Sequence, residues 1–224
     1  FCIADGAGGH ERGDVASSLT LKGISDVVKG VKNRTFDDTV PVEEKTVRLT
    51  DMPPPAQGTI LIPAIHHANE VCRTAEQDNL VSTIVACHFT GDLVHIAHLG
   101  DSRAYCLETD ILYQLTDDHS LVNYLYKQGS ISKEEQFTHP KRNVILKAIG
   151  VEDVVEISLT TRRIRSNTLY FLCSDGLTSM VTDREIQIIA ENRATPEAIC
   201  TELLHAAKKA GGRDNITIII IKVE

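Results

Sequence analysis

Nothing in the 224-residue chain approaches the roughly 20 consecutive apolar residues that cross a bilayer, and no basic stretch precedes the apolar residues at its start. Neither a membrane span nor a signal peptide is therefore visible. A basic surplus is also missing, since Lys plus Arg number 23 against 31 Asp plus Glu, for a net charge of −8. A binder of phosphate backbones needs a stripe of cations, so nucleic acid is excluded as the expected partner. There is no C-x-x-C pair. The six cysteines, at 2, 72, 87, 106, 173 and 200, lie largely within apolar runs, where a thiol behaves as a small hydrophobe. A reduced, cytoplasmic setting is the expectation. The absence of tryptophan decides nothing, because the 42% hydrophobic content suffices for a soluble core.

The start also lacks a methionine, a cap or a turn. Phe1-Cys2-Ile3-Ala4 reads as the end of a buried strand, so the expectation is that the fold's N-terminal strand or strands lie upstream. Gly13 to about Val31 and Ile60 to Ala75 have helical apolar spacing, and these two helices should lie side by side. Between them, residues 36–58 are charged and carry prolines at 53 to 55, which predicts a mobile insertion. Ser82–Val85, Leu93–Leu99, Ala104–Leu107 and Ile111–Leu115 read as an antiparallel meander, with Gly91-Asp92 as a hairpin turn. Short helices follow at Ser120–Gln128 and Ser132–Gln136, the second opened by the capping box Ser132-x-x-Glu135. Strands resume at Val154–Leu159 and Thr168–Cys173. Thr182-x-x-Glu185 and Thr195-Pro196 then open two more helices, and Ile216–Val223 is a last strand. Two strand series with helices before and between them predict an α+β fold, a central antiparallel β-sandwich covered by helices.

Three aspartates stand at ends of these apolar runs beside glycine or asparagine: Asp5 in FCIADGAGG, Asp175 in LYFLCSDGL and Asp214 in GGRDNITIIII. Carboxylates gathered at one rim of a sheet make an oxygen nest suited to a hard divalent cation such as Mg²⁺ or Mn²⁺. Each segment alone is an ordinary turn; the three together point to metal-dependent hydrolysis. Gly100-Asp101-Ser102-Arg103 adds a fourth such aspartate, read either as a site residue or as a hairpin turn with Arg103 as a surface partner.

The ordered set Asp5-Gly6-x-Gly8-Gly9-His10, Ser82-Thr83, Gly100-Asp101-Ser102-Arg103, Asp118-His119-Ser120-Leu121-Val122, His139-Pro140-x-Arg142-Asn143-Val144-Ile145, Ser174-Asp175-Gly176-Leu177 and Gly212-x-Asp214-Asn215-Ile216-Thr217 covers nearly the whole chain. It resembles the metal-dependent protein phosphatases of the PPM family, the type 2C serine/threonine phosphatases, in their bacterial branch.

The resemblance implies a single phosphatase domain over residues 1–224, with a flap at about 129–150 beside the cleft. It implies hydrolysis of phosphoserine and phosphothreonine in proteins by a metal-activated water, in opposition to a serine/threonine kinase. Asp5 would bridge two Mg²⁺ or Mn²⁺ ions, Asp175 and Asp214 would complete the first, the Gly6 carbonyl would serve the second, and Asp101 with Asp175 would hold a weaker third. The expected form is a monomer.

Three departures accompany these matches. The family's phosphate-gripping arginine and a further acidic residue fall upstream of Asp5 and cannot be placed in this sequence, and Ala7 stands where many relatives have methionine or a histidine acid. His10 is read as a loop histidine. His66, His67, His95 and His98 are read as structural, Cys173 as core filling, and Lys208, Lys209 and Arg213 as a solvated helix end. A phosphatase-like binding module without catalysis is the second reading.

Overall fold

The central strands of this protein are mostly apolar and buried, and the reason is that both of their faces are covered. A computed structural model describes residues 1–7, 10–32, 59–77, 79–192 and 195–224, so the expected insertion at 36–58 lies outside the described residues. In chain order the strands are β1 (Cys2–Ile3), β2 (Gly6–Ala7), β3 (Val81–Ser82), β4 (Ile84–Thr90), β5 (Leu93–Leu99), β6 (Arg103–Glu108), β7 (Ile111–Gln114), β8 (Ser158–Arg163), β9 (Thr168–Cys173) and β10 (Ile218–Val223). The helices are α1 (His10–Lys32), α2 (Leu61–Arg73), α3 (Leu121–Lys127), α4 (Glu135–Thr138), α5 (Asp175–Thr178), α6 (Asp183–Glu191) and α7 (Pro196–Lys209).

Two antiparallel sheets, in the orders β1-β4-β5-β8 and β10-β9-β6-β7, stack into a sandwich, and β2 pairs with β3 in a small ribbon. Period-two alternation divides each strand between two cores. In β4 and β5, Ile84, Ala86, Ala97 and Leu99 face α1 and α2, whereas Val85, Cys87, Val94 and Ile96 face the other sheet. In β6 and β9, Tyr105, Leu107, Phe171 and Cys173 face α5, α6 and α7, and Ala104, Cys106, Tyr170 and Leu172 meet the first sheet in the middle. The result is four layers, helix on sheet on sheet on helix, as the patterning predicts.

The hairpin at Gly91-Asp92 forms, with Thr90 opposite Leu93. The capping box of α6 is complete: the Thr182 hydroxyl accepts from Glu185 N–H, and the Glu185 carboxylate accepts from Thr182 N–H.

Some expected boundaries are corrected. The strand placed at Val154–Leu159 is β8, Ser158–Arg163, because its partner β5 supplies pairing sites only as far as His98, opposite Ser158. Beyond that point the β5 chain turns away at Gly100, and Val154 is left 73% exposed. Ser132 and Glu135 exchange both bonds of a capping box, at 2.6 and 3.2 Å, yet helix α4 begins only at Glu135. His10 is the first residue of α1 rather than a loop residue. Asp175 does not end a strand but opens the four-residue helix α5, two residues after the end of β9.

Tyr170 packs against Phe89 edge to face in the central core, and its hydroxyl is buried without a hydrogen-bond partner among the described residues. An unsatisfied buried hydroxyl costs about 1–3 kcal/mol. Tyr170→Phe should therefore leave stability to urea equal or raised, whereas Leu172→Ala in the same core should lower it by about 2–5 kcal/mol. Equilibrium urea unfolding distinguishes these outcomes, and a loss above about 1 kcal/mol for Tyr170→Phe would show that the hydroxyl is satisfied.

Candidate metal centre

Four loops bring the expected acids to one end of the sandwich, and two sets of hydrogen bonds hold these loops in pairs. Asp5 lies between β1 and β2. Its carbonyl accepts from Thr83 N–H at 2.8 Å and from the Ser82 hydroxyl at 3.1 Å. The Thr83 hydroxyl in turn bonds the Ser102 hydroxyl at 2.7 Å, beside Asp101. Gly100 stands at φ +101°, and a Cβ there would lie 2.6 Å from the Thr83 methyl, so only glycine lets the two segments close. Ser82-Thr83 thus sets the Asp5 loop beside the Asp101 loop.

Ser174 does the same for the other pair. Its hydroxyl donates to the Asn215 carbonyl at 3.0 Å and accepts from Thr217 N–H at 3.0 Å, while its own N–H donates to the Thr217 carbonyl at 3.1 Å. A Cβ on Gly176 would meet the Asn215 carbonyl oxygen at 2.2 Å, which fixes glycine at the start of α5. The segments carrying Asp175 and Asp214 are therefore laced together.

The carboxylates feel one another. Burial, then the charges of Asp175 and Asp214 and a shared hydrogen bond with Asp175, push the Asp5 carboxyl up to about 7. Burial, followed by the charges of Asp175, Asp118 and Asp5, pushes Asp101 up to about 7 as well. Asp175 is raised by burial and by Asp214. Asp214 is exposed, with its carboxylate accepting from Asn215 N–H at 2.8 Å. Among the described residues no three acidic, histidine or cysteine side chains stand close enough to grip an ion as they are. The four aspartates form a field of like charge, with Asp5 and Asp175 its closest pair, rather than a closed ligand shell.

The nearest buried cation does not neutralise that field. Arg103 is not the surface partner expected: its guanidinium, 18% exposed, grips Asp118 through Nε at 2.9 and 3.0 Å and through Nη2 at 2.7 Å. Nη1 donates to the Tyr105 hydroxyl, which donates to Asp183. A bidentate pair of this kind consumes most of the arginine's charge locally. All-oxygen donors with surplus negative charge suit Mg²⁺ or Mn²⁺, so the residues present fit the ions that the sequence implies.

A cleft of about 470 Å³ opens beside Asp101 and Asp175, and Lys133, Phe137, Arg142 and Asn143 also line it. Asp5 and Asp214 are not among its lining residues. Lys133 pairs with Asp183 at 3.4 Å, and Lys127 pairs with Asp117. Arg142 makes no ion pair among the described residues.

The other expected residues have contacts of their own. The Gly6 carbonyl lies over Gly13 of α1, where an added Cβ would meet it at 2.6 Å; packing is what the structure gives it. Burial pushes the Cys173 thiol up to about 12, which leaves no thiolate to act as a nucleophile. His95 bonds Thr161 at 2.9 Å, and burial lowers His66. Lys208 and Lys209 close the last turn of α7. The motif segments contained Asp118, Ser174, Ser82 and Thr83, but their tasks as partner and lacing residues were not readable from type or spacing.

In sequence and in fold the chain is similar to known phosphatases. The sequence profile described as Protein phosphatase 2C matches residues 1–216. The Serine/threonine phosphatase stp of Listeria innocua is 36% identical over 225 residues, covering 98% of this chain and 82% of the relative. The solved structure of the serine/threonine phosphatase PstP/Ppp of Mycobacterium tuberculosis superposes with a TM-score of 0.79 at 29% identity, covering 100% of this chain and 87% of that one. The catalytic domain of PstP in complex with two manganese ions gives a TM-score of 0.78 at 29% identity, with the same coverage of 100% and 87%.

The charge crowding has a sign that can be measured. Carboxyls that titrate near 7 when folded and near 3.9 when unfolded bind more protons in the folded state between those values, so in metal-free protein their contribution to stability falls as pH rises through that window. Asp175→Asn removes one of the repelling charges. In EDTA at pH 8 it should melt about 2–4 °C above the wild type, as relief of about 1 kcal/mol implies. The gain should shrink at pH 5.5, below the value of about 7 for Asp5 and Asp101, where those two carboxyls are protonated. Thermal unfolding followed by circular dichroism checks this, and a variant that melts lower at pH 8 would contradict it.

Proposed function

This chain belongs to the protein phosphatase 2C family, and from that membership we propose how its carboxylate field works in a Mg²⁺- or Mn²⁺-dependent protein serine/threonine phosphatase. The enzyme hydrolyses phosphoserine and phosphothreonine in proteins. The observation that carries the site assignment is the convergence of Asp5, Asp101, Asp175 and Asp214, from four separate stretches of sequence, into one field that raises three of their carboxyls. Two ions would be held by Asp5 as the bridge, by Asp175 and Asp214 on one side, and by the Gly6 carbonyl on the other. Asp101 with Asp175 would hold a third, more weakly. When bound, such ions acidify a water and offset charge on a phosphoryl group.

The protein's own part is to place and to exclude. The Ser82-Thr83 and Ser174 bonds fix where the carboxylates point, so ligand geometry does not have to be assembled during turnover. Arg103 is kept to Asp118, which leaves the field negative and open to cations. Of the cations lining the cleft, Lys127 and Lys133 are paired, and Arg142 is the side chain we assign to meet an anionic phosphopeptide. We read residues 129–150, which bring Lys133, Phe137, Arg142 and Asn143 to the cleft, as a flap on a single domain spanning 1–224.

No described helix is long and apolar enough to cross a membrane. A cytoplasmic monomer that opposes a serine/threonine kinase is the setting proposed.

With a phosphothreonine peptide and Mn²⁺, phosphate release should be abolished by EDTA and restored by excess Mn²⁺. Asp175→Asn should lose at least about 100-fold in kcat/KM, since several kcal/mol of charge stabilisation depends on that ligand. Asp101→Ala should retain the two tighter ions and lose activity only partly. Full activity in EDTA, or an Asp175→Asn variant within about threefold of the wild type, would overturn the metal assignment.

A further inference from the structure

His119 is used nowhere in the site as described, yet it makes both hydrogen bonds to the residue that precedes Asp101. Its backbone N–H donates to the Gly100 carbonyl at 2.9 Å, and its Nδ1 lies 3.2 Å from the Gly100 nitrogen. Only an unprotonated Nδ1 accepts from that N–H, so the ring carries its hydrogen on Nε2 and donates it to the Ser158 hydroxyl at 2.9 Å. The ring is stacked on His98, with centroids 4.5 Å apart and planes inclined by 11°. His98 is buried, and its Nε2 donates to the Asp117 carbonyl at 2.9 Å. His98 and Ser158 stand opposite each other in the register of β5 and β8, so His119 rests on a platform of two paired strands.

Gly100 occupies a left-handed backbone conformation and is pressed from the other side by Thr83. A peptide in that conformation, with its donor and acceptor both held, has little freedom to rotate the residue that follows it.

We propose that His119 is a positioning residue: by accepting the Gly100 N–H on Nδ1 and donating its own N–H to the Gly100 carbonyl, it aims the Asp101 carboxylate toward Asp175. The proposal rests on the reading of Asp101 as a ligand of the weaker ion, and it adds the residue that sets that ligand's direction.

Two substitutions separate the ring's two contacts. Asn places an amide oxygen near the position of Nδ1, and Gln reaches instead toward Ser158. Binding of Mn²⁺ alone, measured by equilibrium dialysis with metal analysis, should show a weak step in the wild type that Asp101→Ala removes. His119→Asn should keep that step within about twofold, and His119→Gln should move it to about tenfold higher Mn²⁺, the scale of one lost hydrogen bond. Both variants should retain the tighter ions and should melt within a few degrees of each other in EDTA.

A purely structural histidine would give equal effects for the two variants, or a Gln curve superimposable on the wild type; either result overturns the positioning role. A weak step that survives Asp101→Ala overturns instead the ligand reading beneath it, whatever the His119 variants do.

Discussion

Like charges held close against their repulsion are the constraint from which the other features of this protein follow. Asp5 and Asp175 face each other, Asp214 and Asp101 add to the field, and the nearby Arg103 is held by Asp118. Such a cluster exists only where backbone elsewhere is fixed firmly enough to impose it. That firmness comes from Ser174, lacing β9 to the segment before β10, and from Ser82-Thr83, which ties the Asp5 loop to the Asp101 loop. The cost in the metal-free protein would be recovered on binding of cations to these groups, which would couple stability to metal and to pH.

The layered fold supplies the rigidity. Each central strand is packed on both sides, so the strand ends that carry the acids cannot shift without disturbing two cores. Arg103 illustrates how the layers and the site connect: it begins β6 opposite Cys173 at the end of β9, and it spans from Asp118 in the cleft to Tyr105 in the helix-facing core and, through that hydroxyl, to Asp183 at the start of α6. Lys133, which also lines the cleft, meets the same Asp183. Two cations that line the cleft thus share one acidic anchor.

Much of this was legible in the chain itself because apolar runs report burial directly. β5, β6 and β9 were readable as strands, and the capping residues of α6 and α7 are where their chemistry places them. β8 was misplaced by four residues because a strand's limits are set by its partner, and β5 ends its pairing at His98. Helix α5 was invisible, since four residues are too short for any period to appear. The four aspartates could be found from their neighbours in sequence, but the burial of Arg103 and the grip of His119 on Gly100 depend on segments that meet only in the folded chain.

The account's central claim is that Asp5 lies between two bound divalent ions, and diffraction from crystals grown with Mn²⁺, recorded at the manganese absorption edge, tests it most directly. Two anomalous peaks within coordination distance of the Asp5 carboxylate, one of them also bound by Asp175 and Asp214, are predicted. Peaks confined to other carboxylates, or no peak at Asp5 in crystals of protein that is active with Mn²⁺, would contradict it.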